Sequence, residues 1–121
     1  MTISDRADFP DELLNLVASR FRLLGDSTRL RLILALRDGE RSVGTIADLA
    51  GTSQANTSKH LTALHEAGLV SRRRDGGSVF YKSNGKLPYL LIDAVCTSLD
   101  AQTSARHALL ASSPVGAKQP Q

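Results

Sequence analysis

The stretch S42-VGTIADLAG-TS-QANTSKHLTALHEAG-LVSRRRDGGSVFYK-S83 decides the architecture of this chain. It begins with a short apolar segment closed by Gly51 and continues with a second segment of small polar residues closed by Gly68. Ser42 and Ser53 stand where helix N-caps belong, because a serine hydroxyl satisfies the free N–H groups of a first turn. Gly51 and Gly68 stand where helix ends belong. Two short helices joined by Gly51-Thr52-Ser53 form a helix-turn-helix pattern, here residues 43–67. Ile46, Ala47 and Leu49 of the first helix are expected to pack against Leu61 and Leu64 of the second.

After Gly68 the period changes. LVSRRR and SVFYKS are short, rich in β-branched or aromatic residues, and separated by Asp75-Gly76-Gly77. That junction reads as a β-hairpin, since glycine accepts the positive φ of a tight turn. The wing so defined spans residues 69–83. Val79 and Tyr81 are expected to hold it to the body.

Working outward, DFPDELLNLVASRFRLLG predicts a first helix over residues 9–24, with Asp8 as cap and Pro10 in its first turn. Leu13, Leu14, Val17, Phe21 and Leu24 recur along it at helical spacing. DSTRLRLILALRDG predicts a second helix capped by Asp26 and ending at Gly39, with Leu30, Ile33, Leu34 and Leu36 toward the core. A last helix is expected over residues 87–110, with Pro88 at its start and an apolar face of Leu87, Leu90, Leu91, Ala94, Val95 and Leu99. Residues 111–121 are polar, carry Pro and Gly, and are expected to be a disordered tail. The expected fold is mostly α with a small β-hairpin, in the order α-α-α-α-β-β-α, as one domain over residues 1–110.

With 121 residues the chain suits one domain with a modest core, so a partner subunit would help stabilise it. Its single cysteine, Cys96, rules out an internal disulfide framework and a four-cysteine zinc site. No apolar run approaches the roughly 20 residues of a membrane span, and the N-terminus lacks a secretory pattern, so a cytoplasmic protein without a membrane partner is expected. The net charge of +3 is unevenly spread. Residues 53–86 carry six cations against Glu66 and Asp75, whereas residues 1–52 carry seven cations against eight anions. A local basic excess is the footprint of nucleic-acid binding, although a solvated surface has the same composition.

In a helix-turn-helix protein the N-terminal part of the second helix enters the DNA major groove. Gln54, Asn56, Ser58 and Lys59 are the candidate base readers. Gln and Asn pair bidentately with adenine, and Lys reaches guanine or phosphate. Thr52, Ser53 and His60 are candidate phosphate contacts, as are the wing residues Arg72, Arg73 and Arg74. Alternation along a strand forbids all three arginines from facing one way, so either Arg73 or the Arg72/Arg74 pair is turned toward DNA. Gly77, with Gly76, lets the tip approach the duplex backbone. Thr28 and Arg29 open the second helix, where DNA contact and simple capping or ion pairing are both open.

LGDSTRLRLILAL, the helix-turn-helix segment and RRRDGGSVFYKS together resemble the ArsR/SmtB family of bacterial winged-helix repressors, in the expected order over roughly residues 20 to 100. The resemblance implies a homodimer paired through the first and last helices, a palindromic operator in double-stranded DNA and release by an inducer. It also locates a departure. Where the family's metal-sensing members carry a Cys-Val-Cys element, this chain has Ser42, Val43 and Gly44. The ligand positions of their last helix fall near Gly85, Leu87, Ser98 and Ala101, none of them a zinc ligand. Neither a metal nor another cofactor is expected.

Asp93, Cys96, Asp100 and His107 do share one stripe of the last helix. They form either a solvated polar face or a sensor, by metal or by thiol chemistry across a dimer. No nucleophile–base–acid set or phosphate-cradling loop points to an enzyme, hydrolase or transferase. The rival to a DNA-binding repressor is a winged-helix protein–protein interaction module that does not bind DNA.

Overall fold

The computed structural model describes residues 9–111. The order is α1 (Asp11–Leu24), α2 (Ser27–Ala35), β1 (Arg41–Ser42), α3 (Val43–Ala50), α4 (Gln54–Glu66), β2 (Val70–Asp75), β3 (Ser78–Ser83) and α5 (Leu87–Ala111). One unit runs through Lys86 and a second begins at Leu87. Relative to expectation, β1 is added. It pairs antiparallel with β3 to give the sheet order β1-β3-β2. Two residues are too few for periodicity to reveal a strand.

The core of the first unit lies among α2, α3, α4 and the base of the hairpin. Leu32, Ile33, Leu36, Ile46, Leu61, Leu64 and Val70 are buried, and Tyr81 is 3% exposed, pinning the hairpin as expected. Two helices bury Ile33, Leu36, Ile46 and Ala47 as expected and differ from expectation at one position each. On α2, Leu32 is buried and Leu34 is exposed. On α3, Leu49 is 57% exposed, and Ala50 is buried in its place. In both, the buried set runs i, i+1, i+4, one stripe at 3.6 residues per turn.

Asp26, Ser42 and Ser53 cap their helices as expected, accepting from the backbone N–H groups of Arg29, Thr45 and Asn56. Helix α1 starts after Pro10, which has extended backbone and sits just outside the first turn. Asp8 and the tail from residue 112 lie outside the described residues. Helix α2 ends at Ala35 rather than Gly39, because its last turn tightens to i→i−3 bonds from Leu36, Arg37 and Gly39. The Nε of Arg41 then donates to the carbonyl of Ala35 at 2.9 Å.

The turn between α3 and α4 depends on Gly51. The Gly51 N–H reaches the Asp48 carbonyl, and the Gly51 φ of +69° then turns the chain so that the Thr52 N–H reaches that of Ala47. Gly68 ends α4 with the same pair of bonds, from Gly68 to His65 and from Leu69 to Leu64. At the hairpin tip Asp75 pairs with Ser78, so the loop is Gly76-Gly77 alone. Only Gly76 takes a positive φ, +62°, a type II′ pattern whose twist suits the strands. Asn84 closes the hairpin base. It donates from its backbone N–H to Leu69 and from its side-chain amide to Gly68, and accepts from the Ser71 hydroxyl.

Candidate nucleic-acid interface

Helix α4 buries Thr57, Leu61 and Leu64. Its opposite face is Ala55, Lys59 and Thr62, all exposed and spaced i, i+4, i+7. Two flanks border that face. Gln54 and Ser58 line a cleft shared with Gly77, Ser78 and Val79 of the hairpin and with the start of α3. Asn56 and His60 form the other flank, beside α2. The expected base readers are therefore divided among a face and two flanks. Ala55 and Thr62 were missed, although the same 3.6 period that buries Leu61 assigns them to the open side.

Asn56 is less free than its residue type suggests. Its amide Nδ2 donates to the Thr52 hydroxyl at 2.9 Å, which engages both residues within the turn. Ser53 Oγ is engaged as the cap, accepting from the Asn56 N–H at 3.0 Å. His60 is half-buried, and its Nδ1 accepts from Arg29 Nε at 3.1 Å. Arg29 also donates from Nη1 to the Leu23 carbonyl at 3.3 Å and from its backbone N–H to the Asp26 carboxylate. The bond from that N–H is the main reason the Asp26 carboxyl is held below its ordinary value.

The hairpin separates its three arginines by face. Arg72 lies across from Tyr81 and Arg74 from Val79, on the face that carries buried Val70 at its base. Arg73 lies across from Phe80 on the other face. There it meets Glu40, 33 positions earlier, through bonds of 2.9 Å and 3.0 Å from Nε and 2.7 Å from Nη2. Its guanidinium also stacks 4.6 Å above the Phe80 ring and lies 3.6 Å from the Asp75 carboxylate. The hydrogen bonds from Arg73 hold the Glu40 carboxyl below its ordinary value, and the same bonds, accepted by Glu40, raise the Arg73 guanidinium above its own. Among the described residues, neither Arg72 nor Arg74 has an ion-pair partner. No signal in the sequence foretold Glu40, because the loop that carries it is far from the wing along the chain.

On α5, Asp93, Cys96, Asp100 and His107 are all exposed. Among the described residues no group of three or more His, Cys, Asp or Glu side chains converges to hold a metal ion. None of their helices is long and apolar enough to cross a membrane.

A capped helix-turn-helix with a hairpin packed beside its second helix defines the winged helix-turn-helix class of DNA-binding proteins. Residues 26–72 match the family model of the bacterial regulatory proteins of the arsR family, and the transcriptional regulator KmtR of Mycobacterium tuberculosis is 41% identical over 87 residues, covering 71% of this chain and 67% of that protein. The chain belongs to the ArsR family of transcriptional regulators. The biofilm growth-associated repressor of Xylella fastidiosa is 34% identical over 88 residues, covering 73% of this chain and 77% of that one. A homodimeric winged helix-turn-helix DNA-binding domain from Mycobacterium bovis, solved in solution, superposes with a TM-score of 0.68 at 31% identity over 82% of this chain and 92% of that one. The chain spans about two thirds of the length of the first curated relatives it matches, at 67%, 65% and 64%. The proteins named in these matches are regulators and repressors of transcription.

Proposed function

We propose that this chain is a homodimeric repressor in the cytoplasm, which reads a palindromic operator with α4 and leaves it on an inducing signal. The observation that carries the reading is the division of α4 into a buried stripe of Thr57, Leu61 and Leu64 and an open face of Ala55, Lys59 and Thr62. Small side chains on that face allow close approach to base edges, and Lys59 supplies a cation for guanine or phosphate. Gln54 and Ser58 extend the reading face toward the wing. Arg72 and Arg74 add phosphate contacts from the unpaired side of the hairpin, and Gly77 keeps the tip narrow. Thr52 and Ser53 offer the turn and the helix N-terminus to a phosphate.

Dimerisation has support from the homodimeric relative and from apolar surface. Helix α1 buries none of its residues, and Phe21 is 62% exposed. Helix α5 exposes Leu90, Val95 and Leu99. Such surface on a small chain marks an interaction site. A dimer sets the half-sites about one helical turn apart.

Fluorescence anisotropy with the duplex upstream of the chain's own coding sequence, at two salt concentrations, tests the reading. Binding that weakens with salt and is lost in Lys59→Glu is expected. A Lys59→Glu protein that binds every duplex as the parent does would favour the protein–protein module instead.

A further inference from the structure

Arginine carries only donors, so any nitrogen that accepts from it must hold a lone pair. Arg29 Nε meets His60 Nδ1 at 3.1 Å. The ring proton of His60 is then on Nε2, the imidazole is neutral, and its one remaining polar atom is a donor. Arg29 is itself fixed at two further points, by the Leu23 carbonyl and the Asp26 cap. His60 therefore cannot turn its ring without breaking a bond that α2 holds in place. Its Nε2 has no hydrogen-bond partner among the described residues, and the residue is only half-buried. His60 also stands one turn beyond Asn56 on the same flank of α4, beside the open face.

We infer that Arg29 is a positioning residue for DNA recognition, presenting His60 Nε2–H as a neutral hydrogen-bond donor to an acceptor oxygen or nitrogen of the duplex. The inference rests on α4 being the DNA-reading helix. Two sources offer that acceptor chemistry: a phosphate oxygen, or the N7, O6 and O4 atoms that purines and thymine show in the major groove. A donor at Nε2 suits these acceptors and not the exocyclic amines of adenine and cytosine, which are themselves donors. A neutral donor also adds nothing to the counterion release that sets the salt slope. His60 thus contributes direction to the complex, whereas Lys59 and the wing contribute charge.

The two ring nitrogens can be tested separately, because the side-chain amides of Asn and Gln mimic different ones. His60→Asn keeps an acceptor for Arg29 and loses the outward donor. His60→Gln places an N–H where Nε2 was. Affinity for the upstream duplex is expected to fall about tenfold in His60→Asn, to recover largely in His60→Gln, and to keep its salt slope in both. Loss on the upstream duplex alone identifies a base acceptor, and equal loss on an unrelated duplex identifies a phosphate. Arg29→Met is expected to weaken binding in the parent and to add nothing in the His60→Asn background. An additive loss there would make Arg29 a DNA contact in its own right and overturn the inference.

Nitrogen-15 NMR of the full chain, free and bound to the duplex, keeps the test independent of whether Arg29→Met folds. A proton resident on His60 Nδ1 at neutral pH overturns the inference. If the parent binds duplex DNA and Lys59→Gln weakens it while His60→Asn does not, this inference falls and the DNA-binding reading stands. If no duplex is bound by the parent, the DNA-binding reading itself falls.

Discussion

The division of the wing arginines makes a quantitative prediction about salt. Arg72 and Arg74 lie on the face of β2 that continues from buried Val70, without ion-pair partners among the described residues. Arg73 lies on the other face, held by Glu40 and stacked on Phe80. Each phosphate neutralised by a protein cation contributes about 0.9 to the slope of log affinity against log salt. A dimer has two wings, so Arg72 and Arg74 together account for four contacts and a slope of about 3.6. Replacing both by Gln should flatten the slope by that amount. Over a fourfold rise in salt, such as 50 to 200 mM, the parent should then lose about 150-fold more affinity than the variant. Arg73→Gln should flatten the slope by less than about 1, because its charge is already spent on Glu40. Anisotropy titrations on the upstream duplex at four or more salt concentrations give the slopes directly. If Arg73→Gln produced the larger change and the double variant the smaller, the assignment of faces would be wrong.

Other tests follow from the same geometry. Arg73 depresses the Glu40 carboxyl, so the Glu40–Arg73 contact should be fully formed above the ordinary value of 4.5 and lost as the pH falls through the lowered one; the carboxyl carbon-13 titration of Glu40 should have its midpoint below 4.5 in the parent and return to the ordinary range in Arg73→Gln. Thr57 is fully buried, and among the described residues its hydroxyl has no hydrogen-bond partner, so Thr57→Val, which keeps the branched shape, should stabilise the fold by about 1 kcal/mol and raise the melting temperature by about 4 °C at fixed protein concentration; a drop instead would mean that the hydroxyl is satisfied. Leu99, 54% exposed on α5, is expected to lie in the dimer interface, and Leu99→Glu should weaken dimerisation by about 2 kcal/mol or more in sedimentation equilibrium, whereas an unchanged constant would remove this residue from the interface.

Element types and boundaries were legible wherever a residue type has a narrow job. Asp26, Ser42 and Ser53 as caps, Gly51 and Gly68 as stops, and Gly76-Gly77 as the hairpin loop all lie where local chemistry puts them. The phase of the apolar helices was less legible. LRLILAL has a leucine or isoleucine at nearly every position, so several stripes satisfy the same period, and tertiary packing chose Leu32 over Leu34. On α3, Ile46 and Ala47 are buried as expected, and the third place went to the small Ala50, which left the larger Leu49 outside. β1 exists only because β3 offers it an edge. At the site, residue types located the second helix of the helix-turn-helix and the hairpin beside it. The engagement of Asn56 by Thr52, of His60 by Arg29 and of Arg73 by Glu40 depends on which surfaces meet, and only the last two of these are distant in sequence.

The Glu40 contact changes how the charge of this chain should be counted. Along the sequence, residues 53–86 hold an excess of four positive charges, and strand alternation leaves open whether Arg73 or the Arg72/Arg74 pair faces DNA. In space, Glu40 belongs to the wing, and it takes Arg73 out of the set available to phosphate. A phosphate could recover Arg73 only by displacing a carboxylate that contacts it through two nitrogens, and Glu40 would then lie near the negatively charged backbone unpaired. On the proposed reading, exchange is therefore unfavourable at both ends of the contact, and the pair fixes the middle of the wing, where Arg73 lies across from Phe80, rather than binding DNA. On the proposed reading, the electrostatic attraction to DNA is assigned to Lys59, Arg72 and Arg74. The same reading leaves Gln54, Ser58 and His60 as the proposed groups that distinguish one sequence from another, because discrimination among bases needs directed donors and acceptors more than it needs charge.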